Sequence, residues 1–151
     1  MHQQAEEWEA KGDRRSEFLR CYAFMTGNML RGVETGRFED CAWVNRLLHL
    51  FADYYFIALE QYETDATTSP AVWRHAHDST LNRRRHVLQN LLLGINAHIN
   101  YDLALALRDM LAPEWANLSE MQRQLRHRDH RLVNTIIAET IDTVQDEVVE
   151  K

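Results

Sequence analysis

Two polar pairs interrupt residues 94–103, a segment that is otherwise apolar. His98 and Asp102 are four positions apart, as are Asn96 and Asn100, and such residues lie one turn apart on the same face of a helix. A carboxylate at Asp102 that accepts a hydrogen bond from the imidazole of His98 would fix the tautomer of the ring and raise the basicity of its other nitrogen. We therefore predict an acid–base pair in which His98 is the general acid or base and Asp102 orients it.

Further side chains are predicted to bind the substrate of this pair. The amides of Asn96 and Asn100 would hold a carbonyl or an oxyanion. Asn134 interrupts another apolar run, which predicts that it is buried and faces the central helix. The expected ligand is an apolar small molecule in a buried pocket, and the expected reaction is a cofactor-independent cyclisation, isomerisation or elimination. The aromatic side chains that would line this pocket are Tyr54, Trp73 and Tyr101.

A second His-x-x-x-Asp pair gives an alternative in which a divalent metal is bound. His49 and Asp53 lie on another predicted helix, and they would join His98 and Asp102 as four ligands if the two helices are neighbours. The protein would then be a metal-dependent hydrolase or oxygenase. The Glu-x-x-His units typical of di-metal bundles are missing, so the enzyme without a cofactor is preferred. The other histidines considered are predicted to lie on the surface: His75, His77, His127 and His130.

A non-catalytic alternative is also open. A buried His–Asp–Asn network can serve only to lock helix packing, and the protein would then be a helical binding module with a structural polar core. Against this alternative, an unpartnered buried polar group costs about 1–3 kcal/mol. Gly94 costs about 1 kcal/mol relative to alanine in a helix interior. Residues that lower the stability of a helix in this way are expected at functional sites.

The composition limits the class of partner. The net charge is -6 and the pI about 5.7, and binding to phosphate backbones needs a basic surface, so nucleic acid is not expected as a partner. The basic run at residues 81–86, LNRRRH, is interpreted as a solvated helix start. No apolar run approaches the ~18 residues of a membrane span, and the polar first residues predict no signal peptide. We expect a cytoplasmic protein with reduced thiols at Cys21 and Cys41, and the sequence leaves a homodimer open as an alternative to a monomer.

These candidate residues are predicted to be positioned by helices. Only five glycines and two prolines occur, and alternating β-branched residues are nearly absent. We predict an all-α fold, a single domain over residues 1–151 that forms an antiparallel bundle of about five helices around a central apolar helix. Residues 1–12 would be a short extra helix or a frayed N-terminal arm. The predicted helices cover residues 13–33, 40–62, 70–77, 83–111 and 119–149.

Local signals place some of the helix ends. Gly36 is predicted to end the first long helix as a C-cap. Ser119 and Gln122 have the spacing of a capping box at the start of the last helix. The apolar face predicted for that last helix comprises Leu125, Leu132, Val133, Ile136, Ile137, Ile141 and Val144.

Several stretches of the chain resemble a known family. These are FADYYFIAL, the tryptophan at position 73, LLLGINAHINYDLALAL and HRLVNTII. They are similar to a mostly bacterial family of all-helical domains of unknown function, whose signature is Gly-x-Asn-Ala-His-Ile-Asn-x-Asp-Leu. The resemblance extends over residues 18–137 and supplies no reaction. It implies that the signature positions of this chain are Gly94, Asn96, His98, Asn100 and Asp102.

The chain departs from that family pattern at three positions. The family often has an amide at the position of Asp53 and an apolar residue at that of His49, which weakens the metal alternative. It also often continues the signature with proline, where this chain has Ala104. A kink directly after Leu103 is therefore not expected.

Overall fold

The computed structural model describes the backbone of residues 1–149 and the side chains of residues 1–140. All regular secondary structure in this part of the chain is helical, which confirms the predicted all-α class. A π-helical segment, His98–Asp102, joins α5 to α6 without a break, and a 3-10 turn, Trp115–Asn117, precedes α7. The helices are α1 (His2–Ala10), α2 (Arg15–Glu34), α3 (Cys41–Asp65), α4 (Ala71–Leu81), α5 (Val87–Ala97), α6 (Leu103–Leu111) and α7 (Glu120–Val149).

Side-chain and backbone caps explain where several helices begin and end. Gly36 has a φ of 68°, and the N–H of Arg37 donates to the carbonyl of Gly32 at 2.9 Å, so α2 ends as predicted. Ser119 and Gln122 form the predicted capping box of α7: Gln122 accepts from the N–H of Ser119 at 2.9 Å and donates its own N–H to Ser119 Oγ at 3.3 Å. The last segment is a single helix.

The central helix starts later than predicted, because a capping box sets its first residue. The N–H of Leu88 donates to the imidazole of His86, and the side chain of Gln89 accepts from the N–H of His86 at 2.9 Å. Residues 82–86 form a turn before this box, and α4 extends through Leu81. The prediction that the helix begins at residue 83 is therefore wrong, and so is the prediction that α4 ends near His77.

The backbone contacts group the chain into two units. Unit 1 comprises Met1–Arg20 and Leu50–Arg108, and unit 2 comprises Cys21–His49 and the residues from Asp109 onward. Long helices therefore contribute to both units. The prediction of a single domain stays a prediction. No helix of the described chain combines the length and the hydropathy that a bilayer span needs.

The core of unit 1 is rich in rings. Phe18, Phe51, Tyr55 and Trp73 each expose 8% of their surface or less. The first residues take part in this unit, since α1 buries Ala5 and Trp8 and the guanidinium of Arg15 stacks 4.4 Å above the Trp8 ring. The leading segment is therefore the short extra helix rather than a frayed arm.

Unit 2 is held together by apolar packing and by a buried carboxylate. Asp129 exposes 1% of its surface and accepts from the N–H groups of Glu39 and Asp40 at 2.8 and 2.9 Å. Val133, Ile136 and Ile137 of α7 are buried, which confirms that part of the predicted apolar face. The side chains of Ile141 and Val144 lie outside the described residues.

Candidate functional site

His98 and Asp102 form a buried pair in unit 1. Nδ1 of His98 lies 2.9 Å from Oδ2 of Asp102, and the two residues expose 1% and 0% of their surface. The indole Nε1 of Trp73 donates to both carboxylate oxygens of Asp102, at 3.0 Å each. The predicted hydrogen bond between His98 and Asp102 is present, and Trp73 adds a third member from α4. These three residues are called the polar core below.

The protonation of His98 follows from its partner and its burial. An ionised carboxylate only accepts hydrogen bonds, so Nδ1 of His98 carries the proton in this pair. Burial lowers the pKa of His98 because it disfavours the imidazolium, while the hydrogen bond and the charge of Asp102 act in the opposite direction. The imidazole is therefore neutral near pH 7, in one fixed tautomer.

Aromatic rings surround the imidazole of His98. The ring of Phe51 is stacked on it, with centroids 3.7 Å apart and an interplanar angle of 10°. The rings of Phe18, Tyr55 and Trp73 have centroids 5.7, 6.0 and 6.1 Å away. The rings come from α2, α3 and α4, so three elements distant in sequence form the wall around the polar core.

The hydrogen-bond pattern of the central helix changes at the polar core. The N–H of Leu103 donates to the carbonyl of His98, five residues earlier, and a π turn of this kind shifts the register of the helical faces. Asn96 and Asn100 lie on an exposed face, where Nδ2 of Asn100 donates to Oδ1 of Asn96 at 2.8 Å. The two amides that were predicted to bind a substrate in a buried pocket are thus exposed, whereas His98 is buried.

Gly94 leaves space for a ring of α2. A Cβ atom at this buried position would lie 2.6 and 2.7 Å from Cδ2 and Cγ of Phe18, distances that no van der Waals contact allows. The room left by a glycine can be taken by a neighbouring helix or by a ligand. The structure shows that a neighbouring helix fills the space.

The other predicted substrate-binding residues are dispersed. Tyr54 and Tyr101 are half-buried, whereas Trp73 is buried and bound to Asp102. Asn134 is exposed on α7, so the prediction that it is buried is wrong. Its side chain lies on the polar face of that helix, next to Thr135, which is exposed as well.

The residues of the metal alternative differ in their surroundings. His49 and Asp53 are exposed on α3, whereas His98 and Asp102 are enclosed. Within the described part of the chain, no three His, Cys, Asp or Glu side chains are grouped so that they could hold a metal ion. The four-ligand site is therefore not assembled.

Unit 1 carries an open cleft away from the imidazole of His98. Its volume is about 740 Å³, and His77 of α4 contributes to its lining. A second space, between Phe18, Trp73 and Gly94, measures only about 10 Å³. The charged and aromatic residues of the cleft include Asp13, Arg15, Tyr62, Glu63, His77 and Arg83.

His77 is buried, so the prediction that it lies on the surface is wrong. It exposes 4% of its surface, and its ring lies against Trp73, with centroids 5.3 Å apart and an interplanar angle of 23°. Its Nε2 is buried and has no hydrogen-bond partner among the described residues. Trp73, Ala76 and His77 form the buried face of α4, and this i, i+3, i+4 spacing was the signal that could have identified His77.

Acidification is expected to destabilise the protein through His77. Burial, followed by the charge of Arg15, lowers the pKa of His77 from 6.5 to about 4. Between these two values the unfolded chain binds a proton that the folded chain does not, so stability is present above pH 6.5 and falls as the pH falls toward 4. From about pH 7.5 to about pH 5.5 the loss should be on the order of 1 kcal/mol for this residue.

Urea unfolding at the two pH values measures this loss. The His77→Gln variant should lose less stability than the wild type, because it no longer has a group that titrates in this window. His75→Gln is the matched control, since His75 is exposed on the same helix, and it should behave as the wild type. Equal losses for the wild type and His77→Gln would contradict the expectation. The pKa of His98 is lowered as well, so His98 adds to the loss of stability at low pH. Because it is present in all three proteins, it does not affect the comparison between them.

Comparisons with known proteins place the chain in a family. Neither the curated proteins nor the solved structures give a match. The model of one family of unknown function matches residues 1–151, which agrees with the resemblance found in the sequence. The chain thus belongs to DUF5995, a family of unknown function.

Proposed function

We propose that the protein is a small-molecule binding module in which the polar core is structural and the cleft of unit 1 is the binding site. The observation that carries this proposal is the enclosure of His98, which exposes 1% of its surface and has the Phe51 ring stacked upon it at 3.7 Å. A general acid or base must come within hydrogen-bond reach of its substrate. The ring wall leaves the imidazole no such access.

The hydrogen bonds of the polar core suit a structural role. Asp102 accepts from Trp73 of α4 and from His98 of the π-helical segment, so one carboxylate joins two elements of unit 1. Hydrogen bonds to a charged group contribute about 1.5–3 kcal/mol each. Because a buried network of this kind is satisfied in one arrangement, it also fixes the orientation of α4 relative to the central helix.

The sizes of the two cavities favour the cleft as the ligand site. Ligand sites in proteins measure about 300–1,000 Å³, and the cleft has about 740 Å³. The space beside Gly94 and Trp73, where the sequence analysis expected a buried pocket, has about 10 Å³. That is room for about one water molecule.

The acid–base enzyme expected from the sequence remains the second candidate, and one observation favours it. The polar core lies on a π-helical segment, and π turns are frequent at functional sites. This enzyme requires the ring of Phe51 or Trp73 to move so that a substrate reaches His98. The two candidates therefore differ in the accessibility of a single imidazole.

Diethyl pyrocarbonate labelling measures that accessibility. The reagent acylates neutral imidazoles, so the lowered pKa of His98 does not protect it and only enclosure does. We expect His98 to react at least about tenfold more slowly than the exposed His75 in the folded protein. In urea the two residues should react at similar rates. This control shows that a rate difference in the folded protein does not come from unequal detection of the two labelled peptides by mass spectrometry. Similar rates in the folded protein would overturn the structural role.

A further inference from the structure

We infer that the cleft of unit 1 takes a small molecule that joins an anionic group, a phosphate or a carboxylate, to an apolar body, with Arg83 and His77 as its polar partners. This inference rests on the proposed function, because it names the class of ligand for the same cleft. It is carried by the charges, the buried histidine and the rings that line this cleft.

Among the described residues, the ion pairs of the cleft leave the guanidinium of Arg83 without a carboxylate partner. Arg15 binds Asp13 at 2.6 Å and Glu63 at 2.8 Å, so the two carboxylates that line the cleft already have a cation. Arg83 is exposed, and no ion pair to it exists among the described residues. The cleft therefore favours a ligand that carries a negative charge, which can pair with Arg83.

Arg14 also keeps the basic turn in place rather than competing for the ligand. Its Nη1 and Nη2 donate to the carbonyls of Asn82 and Arg85 at 3.2 and 2.9 Å, and its Nε lies 3.3 Å from Glu17. The turn that carries Arg83 is thus anchored to the residue just before α2. Because Arg85 donates to Ser79 at 3.1 Å, the three arginines of this turn do not form one continuous clamp for a polyanion.

His77 lines the wall of the cleft. It is more than nine-tenths buried, and its Nε2 has no hydrogen-bond partner among the described residues. A neutral imidazole can donate one hydrogen bond to a phosphate or carboxylate oxygen. Burial lowers the pKa of His77, with the charge of Arg15 acting in the same direction and those of Asp13 and Asp78 in the opposite one, so the ring meets a ligand as a neutral imidazole.

Apolar surface in the same cleft fits the body of the ligand. The ring of Tyr62 lies 4.7 Å from that of His77, and its hydroxyl donates to Asp78 at 2.8 Å, which fixes its position. Leu81 lines the cleft and exposes 75% of its surface. A ring or an alkyl group covered by Tyr62 and Leu81 would remove this apolar surface from water.

Titrations of the whole chain with three matched probes test the inference. The probes are phenyl phosphate, benzoate and benzyl alcohol, and binding is read from the imidazole resonances of His77 by NMR. We expect phenyl phosphate or benzoate to shift these resonances in a saturable way, and benzyl alcohol to bind at least about fivefold more weakly. The tighter of the two anions identifies the anionic group as phosphate or carboxylate.

Two charge variants locate the anion. Arg83→Gln should weaken binding of the preferred anion about fivefold. Arg84→Gln is the matched control, because Arg84 is exposed one position further along and does not line the cleft, and it should change binding less than about twofold. If benzyl alcohol binds as tightly as the anions, or if the two variants weaken binding equally, the inference of an anionic ligand is overturned. The proposed binding function would still stand. No shift of His77 with any probe at about 10 mM would overturn both.

Discussion

Replacing Asp102 with alanine is expected to lower the free energy of unfolding by about 2–5 kcal/mol, because two buried N–H donors lose the carboxylate that accepts their hydrogen bonds. The carboxylate accepts from Trp73 Nε1 through both oxygens at 3.0 Å and from His98 Nδ1 at 2.9 Å. Alanine leaves both N–H groups buried without these acceptors, and each such loss costs about 1–3 kcal/mol.

Urea unfolding near pH 7 measures this change, with the slope of the transition as a check that the folding mechanism is unchanged. Asp53→Ala is the matched control, since Asp53 is an exposed carboxylate on α3, and its effect should stay within about 0.5 kcal/mol. Asp102→Asn should recover part of the loss, because the amide oxygen still accepts one hydrogen bond. A loss below about 1 kcal/mol in Asp102→Ala would show that the polar core does not hold α4 to the central helix.

The pair of His98 and Asp102 could be predicted because it depends only on local geometry. Residues four apart on a helix are neighbours whatever the rest of the fold does, and the bond between them is present at 2.9 Å. The same holds for the ends of helices. Gly36 and the Ser119–Gln122 box act on backbone groups within a few residues of themselves, so sequence spacing was enough to predict them.

The surroundings of the pair could not be predicted, because they depend on contacts between distant parts of the chain. Phe51 and Phe18 lie 47 and 80 positions before His98 in the sequence, and no local pattern shows that their rings enclose it. The enclosure is the observation that moves the preferred function from an acid–base enzyme to a binding module. The sequence alone could not decide between the enzyme and the binding module, because it does not show whether His98 is accessible.

The amide pair was misplaced for a different physical reason. A central apolar helix is expected to be enclosed on all sides, but Leu92 exposes 47% of its surface, and the two amides continue this exposed face at four-residue steps. Asn96 and Asn100 remain neighbours, as expected, but they lie on the exposed side. No residue type in the π-helical segment signals a π turn, whereas the burial of His77 could have been recognised from its spacing to Trp73.

Replacing Gly94 with alanine is expected to destabilise the protein by about 2 kcal/mol, within the usual range for overpacking a core. In an open helix the same change stabilises by about 1 kcal/mol, because glycine is the poorer helix former. Here the added Cβ would meet Phe18 Cδ2 at 2.6 Å, Cγ at 2.7 Å and Cβ at 3.1 Å. Atoms so close to the Phe18 backbone cannot move aside by a rotation of the side chain alone, so α2 or α5 must shift.

Gly27→Ala is the matched control for this substitution, because it changes a glycine on α2 where a Cβ meets nothing within 4 Å. It should stabilise the protein by up to about 1 kcal/mol in the same urea experiment. Combining Gly94→Ala with Phe18→Leu should cost less than the sum of the two single changes, since the smaller side chain makes room for the methyl group. A strictly additive double variant would contradict the clash with Phe18. Because Phe18 is also part of the ring wall at 5.7 Å from His98, Gly94→Ala should speed the labelling of His98 as well as lower stability, which ties the glycine of the signature to the enclosure of its histidine.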